Sequence, residues 1–360
     1  MKVTKVKLES FRNLKNIEFS PAADLNLICG ENGQGKTNIL EAIWLFTGAK
    51  SFLGAREAQL LPFGEDFCRC SLSFHNSERE QTAFYQLGKK KHSELNEVNM
   101  GGISNLAGNF VSVIFSPDHL FIVKGAAEGR RRTLDLVITQ LKPRYLKLLN
   151  QYNRILTQRN ALLKQIQKGG AQENLLEEWD FSISEAGALI SKTRESYCRR
   201  LFPKAEEFYR GISGEREKIS FHFMPSACEK NFSREEFLKN LTEKRKIDIA
   251  LGFTSIGAHR DDIKILIDGK DAADFASQGQ QRSIVLSLKL AESDLIKEIM
   301  GEKPVILLDD VLSELDEGRQ SFLLENMRDR QIFLTCCDFN QVRNASNVIK
   351  IANGKILGGF

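Results

Sequence analysis

Eight residues constrain this chain more than any others: Gly30-Glu31-Asn32-Gly33-Gln34-Gly35-Lys36-Thr37. They fit the phosphate-binding pattern Gly-x-x-x-x-Gly-Lys-Ser/Thr, the P-loop. The surroundings fit too. Leu25, Leu27, Ile28 and Cys29 form a short apolar run that reads as a buried strand. Asn38 to Phe46 carries apolar residues three and four apart and reads as a helix. A strand that enters a Gly-rich turn and opens a helix lets backbone N–H groups curl around phosphate oxygens. The helix end adds partial positive charge. Lys36 is then placed to reach the β- and γ-phosphates of ATP, and the Thr37 hydroxyl to ligate Mg²⁺.

A P-loop alone does not hydrolyse a nucleotide, because Mg²⁺ needs a carboxylate and the attacking water needs an orienting group. Val305-Ile306-Leu307-Leu308-Asp309-Asp310 is an apolar strand that ends in acids. Such a strand delivers its acids to the carboxyl edge of a sheet, where a P-loop also lies. By position Asp309 supports Mg²⁺ and Asp310 faces the water. A second anion nest is expected at Ser277, Gly279 and Gln280, where an N-cap hydroxyl and free N–H groups open the predicted helix Gln280 to Met300.

The chain has 360 residues, 42% of them hydrophobic and 27% charged. That allows two or three domains, or one large core with an insertion. A net charge of +4 permits a nucleic-acid partner without demanding one. Seven cysteines show no metal-ligand spacing, so free thiols and a reducing cytoplasm are expected. Cys68 and Cys70 read as two small residues on one face of a strand. Neither a signal peptide nor a membrane-spanning run is evident.

Around the motifs the pattern is mixed. Val3 to Phe19 predicts two strands about a turn at Phe11-Arg12-Asn13. Cys70 to Phe74, Thr82 to Leu87 and Glu94 to Asn99 predict antiparallel strands, and Val111 to Phe115 another. Apolar stripes from Tyr145 to Ile166 and from Leu176 to Leu201 flank Gly169-Gly170. They predict an antiparallel helical hairpin with arms of roughly 35–40 Å at 1.5 Å per residue. Ser233-Arg234-Glu235-Glu236 is a capping box that starts a helix, and Lys244-Arg245-Lys246 is expected to close it. The fold class is therefore α/β, with a head assembled from both chain ends around a helical-hairpin insertion. The expected parts are residues 1–125, 126–250 and 251–360.

The ordered set of P-loop, Ser277-Gln278-Gly279-Gln280-Gln281-Arg282, Asp309-Asp310 and Ser313-Glu314-Leu315-Asp316 resembles the ABC-type ATPases. There the Ser277 segment would be the signature and Ser313 to Asp316 the D-loop. Within that superfamily the chain resembles the RecF family over essentially its whole length. Beyond the sites above, this rests on Phe11-Arg12-Asn13, Phe115-Ser116-Pro117-Asp118, Arg131-Arg132-Thr133-Leu134-Asp135, Gln158 to Leu163 and Gly257-Ala258-His259-Arg260-Asp261-Asp262. Four positions depart from the family's usual residues: Leu53 and Gln278 for Arg, Ala258 for Pro, and Ala276 for Leu.

The resemblance implies a homodimer in which the signature of one head caps the nucleotide of the other, with Ser313 and Asp316 at the shared site. It implies slow, DNA-dependent ATP hydrolysis used as a switch. It also implies binding to duplex beside single-strand gaps, and work with RecR and RecO in loading recombinase. The basic triplets Lys89-Lys90-Lys91, Arg130-Arg131-Arg132 and Lys244-Arg245-Lys246 are the candidates for DNA contact, each set against a plain solvated or dipole-complementing role. Chromosome-organising ATPases of the SMC or Rad50 kind share the head but carry coiled coils of hundreds of residues, so the short hairpin separates the two readings.

Overall fold

The computed structural model describes residues 1–337 and 345–357. Its centre is a parallel sheet. The P-loop strand Leu25–Cys29 lies between Asn347–Ala352 and Ile332–Cys336, followed outward by the acidic strand Val305–Asp309 and then Ser112–Phe115. A short strand, Lys355–Ile356, runs antiparallel at the far edge. Residues from both ends of the chain therefore build one sheet, as its alternating strand and helix signals predict.

Period-two alternation divides that sheet's side chains between two cores. Leu27, Val113, Phe115, Ile306 and Leu308 point into one core, shared with the helix Gln278–Met300 and the helical arms. Ile28, Ile114, Val305, Leu307 and Phe333 point into the other, shared with the P-loop helix Lys36–Leu45 and an N-terminal antiparallel sheet. Burial on both faces explains why these strands read as unbroken apolar runs.

The N-terminal sheet runs Ile17–Phe19, Lys2–Glu9, Phe67–His75, Glu80–Gly88, His92–Leu95, Val98–Gly101 in spatial order. Its last two strands replace the single strand expected over Glu94 to Asn99. Asn96 and Glu97 both adopt positive φ, 51° and 68°, and fold the segment into a tight hairpin. Cys68 and Cys70 are buried on one face, and among the described residues no disulfide is formed.

The arms are Tyr145–Gln167 and Leu176–Ser213, joined through Gly169 in the left-handed region. The second arm corrects the expected length. It runs 38 residues, past Leu201 and through Pro203, to a left-handed Gly214, which is roughly 57 Å at 1.5 Å per residue. Proline removes one helical hydrogen bond. Burial of Leu201, Phe202, Ala205 and Tyr209 around it outweighs that loss. Phe202 also stacks on Phe221 of the neighbouring strand, ring centres 5.5 Å apart.

The helix that opens at Ser233 spans Arg234–Leu251, with the Ser233 hydroxyl accepting the Glu236 N–H. Lys244-Arg245-Lys246 thus lies inside the helix rather than closing it, which corrects its expected role in complementing the dipole. Arg245 donates twice to Asp180 Oδ2, at 2.7 and 3.0 Å. The other oxygen of Asp180 accepts from Arg159 at 2.7 Å, and Arg159 also reaches Asp248 at 2.8 Å. Arg159, Asp180 and Asp248 are fully buried. Arg159 is the one charged member of the first apolar stripe, and this network pins both arms to the helix Arg234–Leu251.

Removing one member strands a buried charge. Asp180→Ala is expected to cost about 3–5 kcal/mol, seen as a lower urea midpoint at unchanged slope. Glu18→Ala, which breaks an exposed pair with Lys5, should leave the midpoint nearly unmoved.

Candidate nucleotide site

The P-loop is clamped from two directions. A Cβ on Gly35, whose φ is 108°, would strike Leu14 and the Asn13 amide, and a Cβ on Gly30 would strike the Ile351 carbonyl. Close backbone approach therefore requires glycine at both ends of the loop. From the N-terminal side, Asn13 Nδ2 donates to the Gly33 carbonyl at 2.9 Å and Asn13 Oδ1 accepts from Asn38 at 2.7 Å. From the C-terminal side, the Asn353 N–H donates to Gln34 Oε1 at 2.5 Å, and the Gly354 carbonyl accepts the Lys15 N–H at 2.9 Å. Arg12, at a φ of 52°, forks onto Glu41 of the P-loop helix, and Ser51 donates to the same buried carboxylate. These contacts give Phe11-Arg12-Asn13 a physical role: it buttresses the P-loop.

Glu31, Asn32 and Gly33 form the exposed rim of the loop. Lys36 Nζ donates to the Gly30 and Glu31 carbonyls at 2.6 and 3.1 Å, so its ammonium stands at the loop mouth. Thr37 lies in the first turn of the helix, and its hydroxyl donates to Asp309 Oδ1 at 2.7 Å. Thr335, on the intervening strand, donates to the same oxygen at 2.9 Å. Burial raises the Asp309 carboxyl above its ordinary range, the two threonine hydroxyls oppose that, and the charges of Asp310 and Asp118 add to it. A hydroxyl converging with a buried carboxylate beside a phosphate cradle is an oxygen donor set that suits Mg²⁺, and the cation's charge would oppose the upward shift that burial causes at Asp309.

Asp310 lies one residue beyond the strand at a φ of 51°. Its N–H donates to Thr335 Oγ1 at 2.9 Å, and Ser313 donates to its carbonyl at 2.8 Å and to its Oδ1 at 3.3 Å. The left-handed turn carries the carboxylate off the strand line, held by Ser313. Asp118 follows Ser112–Phe115, the strand beside the acidic one, so its loop falls at the same sheet edge.

The signature residues stand apart. Among the described residues, no hydrogen bond joins Ser277, Gly279 or Gln280 to residues 30–37 or 309–310. Ser277 and Gln280 form a reciprocal capping box at 3.2 and 2.7 Å, at the start of the helix Gln278–Met300. Gln280 Nε2 also donates to Glu217 at 2.7 Å. Ser277 and Gln278 are exposed. Asp316 caps the helix Glu317–Asn326, accepting the Arg319 N–H at 2.9 Å. Arg319 in turn donates to Ser283 at 2.9 Å. The signature helix and the D-loop segment thus share one surface.

Sequence reading does not single out Arg12, Asn13, Asp118 or Thr335 as site residues. The signal for Asp118 and Thr335 is a polar residue at the end of a strand adjacent to the acidic one, and it becomes readable only with the strand order in hand.

Residues 2–356 match the family model RecF/RecN/SMC N terminal domain. The DNA replication and repair protein RecF of Acetivibrio thermocellus is 39% identical over 345 residues, covering 94% of each chain. That of Ruminiclostridium cellulolyticum is 38% identical, covering 99% of each. The solved structure of the recombination mediator protein RecF with ATP superposes with a TM-score of 0.91 at 34% identity, covering 100% of this chain and 97% of that one. A structure of an Smc head bound to the C-winged helix domain of ScpA superposes at 0.53 with 14% identity, a likeness of fold alone.

The roles expected from the sequence, Lys36 holding the phosphates in the ground state and Asp310 orienting the attacking water, separate on substitution. Lys36→Ala is expected to abolish ATP binding. Asp310→Asn should bind ATP normally and lower turnover by about 10²–10⁴-fold. Equilibrium binding and steady-state turnover of both variants decide this, and normal hydrolysis by Asp310→Asn would remove Asp310 from the role.

Proposed function

The chain belongs to the RecF/RecN/SMC family, and within it to RecF; from that premise we propose that it is an ATP-gated DNA-binding ATPase of replication and recombinational repair. The observation that carries the reading is the separation of two half-sites. The P-loop, Thr37 and Asp309 are joined by hydrogen bonds, while the exposed signature end at Ser277 makes none to them. A second copy of the chain supplies the missing half, so ATP is shared between two heads.

In this reading Lys36 and the loop N–H groups hold the phosphates, Thr37 and Asp309 hold Mg²⁺, and Asp310 orients the water. Bound Mg²⁺ would neutralise charge on the phosphate oxygens. Hydrolysis is slow and serves to reopen the dimer. The dimer binds duplex next to single-strand gaps and assists RecR and RecO in loading recombinase, in the cytoplasm. Among the described residues no helix is long and apolar enough to cross a membrane. An SMC-like organising role is the weaker reading, since the arms span only 23 and 38 residues.

The three basic triplets contribute unequally to DNA contact. Lys89 pairs with Asp66, Lys91 with Glu57, Arg130 with Asp262 and Arg245 with Asp180. Lys90, Lys244 and Lys246 form no ion pair among the described residues. A net charge of +4 per chain is small, and joining two heads doubles it on one particle.

Light scattering after gel filtration should show monomer without nucleotide and dimer with ATP and Mg²⁺. Ser277→Arg, which puts bulk and charge at the junction, should bind ATP yet remain monomeric. Equal dimerisation without nucleotide would end the gating idea.

Affinity for duplex and gapped duplex should appear only with ATP and should fall with salt, at a log–log slope of about −0.9 per duplex phosphate contacted. A salt series on duplex, gapped duplex and single strand, with ATP, ADP and neither, measures it. Equal affinity in all three nucleotide states would overturn it.

A further inference from the structure

Below the far end of the P-loop helix lies a second cavity, of about 460 Å³, within the ~300–1,000 Å³ typical of small-molecule sites. It opens between Lys50, just past that helix, the helix Ala127–Leu141, both arms and the turn at Ala258-His259. The P-loop helix has ten residues, so the cavity sits roughly 15 Å along its axis from the P-loop.

The polar wall is cationic. Four cations line it, Lys50, Arg131, Arg132 and Arg194, against the carboxylates of Glu128 and Asp135. Arg194 is already satisfied. It donates to both oxygens of Asp135 at 2.9 Å, to Asp261 at 3.0 Å and to the Ala258 carbonyl at 2.5 Å. His259 adds no charge, because burial pushes its imidazole down to about 4. Its Nε2 lies 3.0 Å from the Thr254 carbonyl, a donor's position, which leaves Nδ1 to accept from the Tyr152 hydroxyl at 2.7 Å. Of the carboxylates that line the cavity, Glu128 therefore remains for Lys50, Arg131 and Arg132, with Asp261 and Asp262 behind the wall also favouring the charge on Arg131.

Arg131 and Arg132 are half-buried guanidiniums of an unusual kind for this chain. Arg131 donates to the Asp261 carbonyl at 2.8 Å, and Arg132 to the carbonyls of Ser51 and Phe52 at 2.8 and 2.9 Å. Neither forms an ion pair among the described residues. Their neighbour Arg130 forks onto Asp262, and Arg159 takes two carboxylates. Burial disfavours the charge on both; Arg194 adds repulsion at Arg131, which Asp261, Asp262 and Glu128 oppose in part, and Glu128 alone opposes the effect of burial at Arg132. A polyvalent anion with several acceptor oxygens would relieve that deficit and accept the unused N–H groups. The rest of the wall includes Leu136, Leu146, Leu149 and Ile190, an apolar surface for a sugar or base.

We propose that this cavity binds a phosphate group carried by a nucleotide or a nucleic-acid strand, and does so without the P-loop. This goes beyond the ATP-gated reading, because it requires neither ATP nor a second copy.

The test uses the full chain carrying Lys36→Ala, so that the P-loop is silent. Fluorescence anisotropy follows a labelled oligothymidylate and a labelled mononucleotide, each competed with inorganic phosphate. At least one probe should bind the Lys36→Ala chain and be displaced by phosphate. Binding by the strand alone, or by the nucleotide alone, identifies the source. Adding Lys50→Glu, at a side chain that makes no hydrogen bond or ion pair among the described residues, should weaken binding about tenfold or more. Arg131→Gln should do the same, with a thermal melt to verify folding. Failure of both probes to bind, or unchanged binding in the Lys50→Glu chain, overturns the proposal. ATP-dependent affinity of the wild-type chain for gapped duplex, measured alongside, separates this result from the fate of the gating reading.

Discussion

The two halves of the candidate nucleotide site meet in one hydrogen bond, from Thr37 to Asp309, between residues 272 positions apart. It exists because three parallel strands lie in a fixed order, with Ile332–Cys336 between the P-loop strand and the acidic strand. The register sets Cys336 beside Cys29 and Thr335 beside Asp309, so the strands end at one edge. A one-residue slip in either ladder would turn Asp309 from one face of the sheet to the other. Apolar packing on both faces holds the register, since each strand inserts alternate side chains into two different cores. Stability and chemistry are thus the same constraint: the contacts that make the strands unslippable also place the carboxylate.

Much of this is legible in the sequence because it is local. The strand, Gly-rich turn and helix around Lys36 form one continuous pattern, and the acidic strand end is another. The N-caps at Ser233 and Ser277 fall where their residue types place them, but only Ser277 closes the reciprocal box; the Glu236 carboxylate instead accepts the N–H groups of Glu229, Lys230, Asn231 and Phe232. What sequence does not carry is partner identity. Arg12 reads as a turn residue, yet it serves Glu41; Asn13 reads the same way, yet it holds Gly33 and Asn38. Both are set by tertiary approach, and no spacing rule encodes a bond between a loop and a helix that begins more than twenty residues later.

The basic triplets show the same limit for charge. A run of three cations is visible at once, but its role depends on what faces it. Arg245 is consumed by the buried Asp180, and Arg130 by Asp262. Arg131 and Arg132, adjacent in sequence to Arg130, turn into a cavity instead. Helical geometry explains the difference, since successive residues are about 100° apart around the axis and meet different surroundings. The arm length fails for a related reason. Pro203 sits in a helix that tertiary burial extends well beyond the end of the clear stripe.

The two ends of the chain meet at the P-loop, and that has a mechanical consequence. The turn at Asn353-Gly354 touches Gln34 and Lys15, while Asn13 holds Gly33 and Asn38. The loop is therefore gripped between the N-terminal sheet and the last hairpin. Ser51, just past the P-loop helix, shares Glu41 with Arg12, and its carbonyl accepts from Arg132 on the helix Ala127–Leu141. A continuous path of hydrogen bonds then runs from Asn38 and Asn13 through the adjoining Arg12 to Glu41, Ser51 and Arg132. Any shift of the P-loop helix is felt at the helix Ala127–Leu141, which packs against the arms and lines the second cavity. In this chain the element that would grip the phosphates of ATP and the cavity wall that would grip a further phosphate are tied by packed polar contacts, with the Arg12–Glu41 ion pair among them, rather than by a flexible linker.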